Sequence, residues 1–139
     1  MEKFSIYFAI GGTVMTMLVG QWHVSLTILV AFMVIDYLTG IIKGAINGGL
    51  RSAIGFKGVL RKSTIMLVII LAHMLDLLVN DNTPIFRTMA VFFYVGNEGI
   101  SIIENLGLIG VPVPTKLKQY IQQLSNEETE IPVSKGNTK

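Results

Sequence analysis

Two arrangements of residues in this chain could carry chemistry. His73 and Asp76 lie three apart, on one face of any helix that holds them, and make half of a metal site. Asp36 and Asp76 could be drawn as an acid pair. Neither goes far. A metal site needs three or four ligands, His23 is remote in sequence, and the chain has no cysteine to supply a thiolate ligand or nucleophile. A nucleophile elbow, a phosphate-binding loop and a zinc motif are all absent from the sequence. The expectation is a protein that is not an enzyme and uses no cofactor and no metal. What remains is physical rather than catalytic: Asp36, His73, Asp76, Arg87 and Glu98 are ionisable groups set inside apolar runs. A carboxylate in the middle of a membrane span costs about 2.5–3.5 kcal/mol on insertion scales, so such residues are candidates for function.

The elements that must position them follow from composition. Of 139 residues, 51% are hydrophobic and only 14% charged, against about 25% charged in soluble domains. Such a chain cannot cover itself with polar surface, which predicts an all-α, multi-span membrane protein. A span needs about 20 apolar residues, and residues 4–20, 24–42, 63–79 and 85–103 supply four candidates, with 4–20 short enough to lie on the membrane instead. No convincing cleavage site follows the first run, so it is read as retained rather than as a signal peptide. Between the second and third runs, Lys43, Arg51, Lys57, Arg61 and Lys62 stand among glycines with no acidic residue. That pattern predicts a cytoplasmic basic loop, whose anionic partner is membrane lipid rather than nucleic acid. Asn80 to Pro84 is acidic and suits the outer face, which puts both termini in the cytoplasm. Leu117, Tyr120, Ile121 and Leu124 have the one-sided spacing of a short amphipathic helix. The membrane domain is thus expected over residues 1–124, followed by a polar, disordered tail over 125–139.

Helical spacing sorts the polar residues into stripes. Asp36, Thr39, Gly40 and Lys43 share one face, and His73, Asp76 and Asn80 another. The longest stripe runs through Arg87, Ala90, Tyr94, Asn97 and Glu98, Ser101, and Glu104 with Asn105. Within one chain the stripes could pair, His73 with Asp36 or Arg87 with Asp76. Alternatively they meet between protomers or line water in a homo-oligomer, which the small internal volume of four helices favours.

Several clusters in order resemble a known family. They are Asp36-Tyr37-Leu38-Thr39-Gly40 with Lys43-Gly44, then Gly55-x-x-Gly58-x-x-Arg61-Lys62, then Leu71-Ala72 and Asp76. Phe93-Tyr94, Asn97-Glu98, Ser101-Ile102, Glu104-Asn105 and the Gly110-x-Pro112-x-Pro114 exit continue the series, which covers roughly residues 24 to 124. The chain resembles the phage lysis holins related to the clostridial toxin-secretion holins. The resemblance implies a small protein of the bacterial cytoplasmic membrane without enzymatic activity. It implies homo-oligomerisation into lesions that release an endolysin, or a toxin, with lysis of the host, and it leaves the role of each residue open. Two other readings stay in view: a small ion or proton channel or transporter subunit relaying through Asp36, Asp76 and Glu98, and an antiholin that regulates a holin partner.

Overall fold

The computed structural model describes residues 2–49 and 52–126. These residues form five helices: α1 (Glu2–Val19), α2 (Val24–Ile46), α3 (Ser52–Val79), α4 (Ile85–Ile109) and α5 (Thr115–Asn126). No strand occurs among them. Two stretches, Val24–Ile46 and Gly55–Val79, are long and apolar enough to cross a membrane, while the apolar part of α1, Lys3–Val19, is shorter. Only 17% and 28% of the most apolar 18-residue windows of these two stretches are buried. The core helix of a soluble domain would be mostly buried, so these surfaces need an apolar solvent and the chain is a membrane protein.

Each helix end has a local cause. His23 holds extended backbone, and its ring accepts the Ser25 N–H as the N-cap of α2. At the other end Lys43 lies in the last turn, where a cation suits the helix dipole, and Gly48 turns the chain at φ 69°. α4 ends at Gly110, in the left-handed region at φ 90°. There the Val111 N–H reaches the Leu106 carbonyl at 2.9 Å, which satisfies a terminal acceptor. Pro112 and Pro114 then keep the helix from resuming before α5.

The expected basic loop is largely helical, a correction to the sequence reading. Lys43 belongs to α2, and Lys57, Arg61 and Lys62 belong to α3, which begins at Ser52 rather than at residue 63. Arg51 lies outside the described residues, as does the tail from residue 127. Gly55 and Gly58 each cost about 1 kcal/mol against alanine in a helix, yet they do not break α3. Both lie against Tyr37 of α2, whose hydroxyl would be 3.4 Å from a Cβ at Gly55.

Packing is centred on α4, which is flanked by α2, α3 and α5, whereas α2 and α3 touch each other sparsely. Leu26, Leu29 and Met33 of α2, Ile65 and Ile69 of α3, and Val91 and Val95 of α4 form one core with Val19, the last residue of α1. The rest of α1 stands clear: Phe4 and Phe8 are each 78% exposed. α5 folds back along α4 and buries Ile121 where Gly99 leaves room, since a Cβ there would lie 2.7 Å from the Ile121 side chain. At Gly96 a Cβ would meet the α5 backbone, at 2.8 Å from the Ser125 nitrogen. Gly96→Leu should therefore lift α5 from α4 and leave α2 to α4 together. Hydrogen exchange checks this: α5 amides should exchange at least about tenfold faster, with α2 unchanged.

Candidate functional site

The charged residues of three helices meet in one network. Lys62 of α3 places its Nζ 2.9 Å from Asp36 Oδ2 of α2, and the same ammonium donates to Glu98 Oε2 of α4. Asp36 uses its second oxygen, Oδ1, to accept the Asn105 amide at 3.0 Å. Asn105 also donates to Thr39 Oγ1 at 3.2 Å and accepts Lys43 Nζ at 2.7 Å through Oδ1. The Thr39 hydroxyl bonds back to the Ile35 and Asp36 carbonyls of its own helix. Two carboxylates and two ammonium groups thus share one network, Lys62 paired with both carboxylates and Lys43 joined through Asn105, and the cluster is neutral overall.

That balance matters because the cluster is largely withdrawn from solvent. The Glu98 side chain is 7% exposed, Lys62 15% and Asp36 18%. Removing a charge from water costs several kcal/mol unless paired and hydrogen-bonded. Asp36 lies about 18 Å along α2 from Val24, at ~1.5 Å per residue, and so just past the middle of that helix. Beside the network a cavity of about 300 Å³ opens between α2 and α3, lined by Tyr37, Gly40, Arg61, Ser101 and Asn105 together with Asp36, Lys43 and Lys62.

The opposite end of the bundle, where α1 meets α2 and α3 meets α4, carries a second polar group. Asp76 is fully buried. Its Oδ1 accepts the Asn80 side-chain amide at 2.9 Å and the backbone N–H groups of Ile85 and Phe86, and its Oδ2 accepts the Arg87 N–H at 2.8 Å. These are the donors that the start of a helix leaves without partners, so a residue of α3 caps α4 across the turn. Asp81 and Asn82 take positive φ, 49° and 63°, to make that turn tight enough. The Arg87 guanidinium turns the other way and donates from Nη1 to the Val19 and Gln21 carbonyls, at 2.8 and 3.2 Å.

The stripes thus resolve into specific pairings. His73 and Asp36, a possible pair from sequence, lie at opposite ends of the bundle, and the partner of Asp36 is Lys62. Arg87 and Asp76 do meet, but through the Arg87 backbone rather than its guanidinium. Asn97 accepts the Ser125 hydroxyl of α5 at 3.1 Å, Ser101 lines the cavity, Gly40 lies under Asn105, and Glu104 is exposed. Sequence reasoning missed Lys62 as a buried counter-charge and Asn105 as the hub joining α4 to α2. Asn105 was visible as the seventh residue after Glu98 on the same stripe; for Lys62 the signal was only its place next to the apolar run.

No group of three or more His, Asp or Glu suited to a metal occurs among the described residues. The arrangement instead holds helices together by charge within apolar surroundings. Fold and site define a small helical membrane protein clamped internally by ions. Residues 13–126 match the bacteriophage holin family, and the chain belongs to that family. It is 46% identical over 117 residues to an uncharacterised 14.9 kDa protein of Clostridium perfringens, covering 84% of this chain and 89% of that one. It is 38% identical over 112 residues to the uncharacterised protein YqxH of Bacillus subtilis, covering 81% and 77%. With a probable holin of Bacillus phage phi105 it shares 33% identity over 102 residues, covering 73% and 75%. No solved structure matches the chain.

Proposed function

We propose that this protein is a holin that oligomerises in the bacterial cytoplasmic membrane and opens lesions through which an endolysin, or a toxin, leaves the cell. Its role is non-enzymatic. In this reading α1 to α4 are four spans with both termini in the cytoplasm. α1, at about 27 Å for 18 residues, is the one that barely reaches across. The observation that carries the reading is the Asp36–Lys62–Glu98 bridge, because it ties α3 to two helices of which one, α2, it otherwise touches little. A groove of about 470 Å³, lined by Met33, Tyr37, Val59 and Met66, already runs along that seam. When the bridge opens, the charged faces exchange partners for water or for a neighbouring protomer while the lipid-facing surface stays the same. A modest free-energy difference then suffices to switch the state.

Induced expression in a bacterium together with a cytoplasmic endolysin tests this. Abrupt growth arrest and lysis are expected. Continued growth without release of the folded enzyme would overturn the reading, with an ion leak alone pointing to a channel or transporter subunit and delayed lysis by a second holin pointing to an antiholin. Asp36→Leu combined with Glu98→Leu should insert normally but delay or abolish lysis, because the lesion loses its hydrated lining. Unchanged lysis timing in that double variant would rule out the proposed use of the network.

A further inference from the structure

We infer that the end of the bundle opposite the ion network holds a binding site for the phosphodiester of an anionic phospholipid. The site is the cavity of about 430 Å³ lined by Thr16, Gly20, His73, Asn82 and Arg87, with Met17 and Leu77 at its apolar edge. The inference rests on the chain being a membrane protein and is independent of lysis.

Polar groups stand unused here. The guanidinium of Arg87 uses only Nη1, on the Val19 and Gln21 carbonyls, and its remaining N–H groups meet no acceptor among the described residues. Arg87 also has no ion pair among them; the nearby Asp76 carboxylate is turned toward Asn80 and the start of α4, where it already accepts four hydrogen bonds. His73 is buried and its Nδ1 has no hydrogen-bond partner, the one buried side-chain polar atom so placed among the described residues. An unpartnered buried polar atom costs about 1–3 kcal/mol, and an anionic acceptor beside it would relieve that cost. Gly20 keeps the two groups close. A Cβ there would fall 2.2 Å from Arg87 Nη1 and 3.0 Å from His73 Nδ1.

The form of the cavity selects a lipid over a free anion. A guanidinium matches phosphate oxygens in a two-bond fork. Beyond the polar wall, Met17 is 71% exposed and leads onto the bare apolar surface of α1, where an acyl chain has room to lie. Trp22, also exposed, stands at the same end of the bundle, where aromatic residues mark the membrane interface. Headgroup, glycerol and chain therefore each meet suitable chemistry in order.

The test is retention of lipid by the full chain in a neutral detergent, read by native mass spectrometry with phosphatidylglycerol, phosphatidylcholine and inorganic phosphate as probes. Phosphatidylglycerol should be kept about tenfold better than phosphatidylcholine, with inorganic phosphate failing to displace it. Asn82→Asp adds a carboxylate to the lining at an exposed turn position whose backbone aspartate tolerates. It should lower retention about tenfold with unchanged circular dichroism, and Arg87→Gln should do the same. Equal retention of the two lipids, or undiminished retention in a folded Asn82→Asp protein, would overturn the site. Displacement by equimolar inorganic phosphate would overturn the lipid as its occupant and leave a free-phosphate site.

Discussion

Lys62→Met will destabilise the helical bundle by about 3–5 kcal/mol, the cost of breaking a buried pair by removing one partner. The effect is large because one ammonium serves two carboxylates. Without it the two carboxylates stay in a largely buried space, Asp36 with the Asn105 amide and Glu98 with no other side-chain partner among the described residues. Denaturant titration in micelles, followed by circular dichroism, reads this directly. The rescue is as informative as the loss. Lys62→Met joined to Asp36→Leu and Glu98→Leu replaces the charges by apolar side chains, and buried ion clusters replaced in this way are often as stable as before or more so. Stability should return in the triple variant while lysis does not, because the surface proposed to face water in the open state is gone. A triple variant that lyses cells on schedule would leave the network a structural role only. Single replacements are the milder case: Asp36→Leu or Glu98→Leu leaves Lys62 one counter-charge, so each should cost less than Lys62→Met.

The second large effect belongs to Asp76. Asp76→Leu will strip four donors of their acceptor at once, three of them backbone N–H groups at the start of α4. An unpaired buried donor costs about 1–3 kcal/mol, and water reaches some of these groups because Ile85 and Phe86 are exposed. A net loss of about 3–5 kcal/mol is expected. Asp76→Asn keeps one acceptor oxygen but turns an amide toward a backbone donor, and should fall between the two. Amide exchange at residues 85–87 localises the damage: rapid exchange there in Asp76→Leu, with the α2–α4 core still protected, is the expected pattern. Exchange equal to the native protein would show that other groups cap α4.

How these groups pair was only partly legible in the sequence. Helical spacing assigned Asp36, Thr39 and Lys43 to one face and Glu98, Ser101 and Asn105 to another, and those faces do meet. A period identifies a face but not a depth, and so it left His73 or a neighbouring protomer as candidates for Asp36 and passed over Lys62. The choice is made by antiparallel helices: α3 returns along α2, so its start, not its end, lies beside Asp36. The start of α3 was itself hidden. Gly55, Gly58 and the flanking cations have the composition of a loop, and only Tyr37, a residue about twenty positions earlier in the chain, explains why they are helical. α5 was recognisable by its apolar spacing, but its seat on Gly96 and Gly99 was not, because a glycine within an apolar run does not announce what approaches it.

The network also imposes an order on synthesis. Asp36 enters the membrane first and alone. Its ammonium partner is 26 residues behind it, and Glu98 is a further 36 behind that. At roughly 5–20 residues per second, a nascent α2 waits about 1–5 s for its counter-charge and longer for the second carboxylate and Asn105. During that interval every truncated product carries an unbalanced ion in its apolar surroundings. Closure of the bridge thus marks a chain translated through its fourth helix.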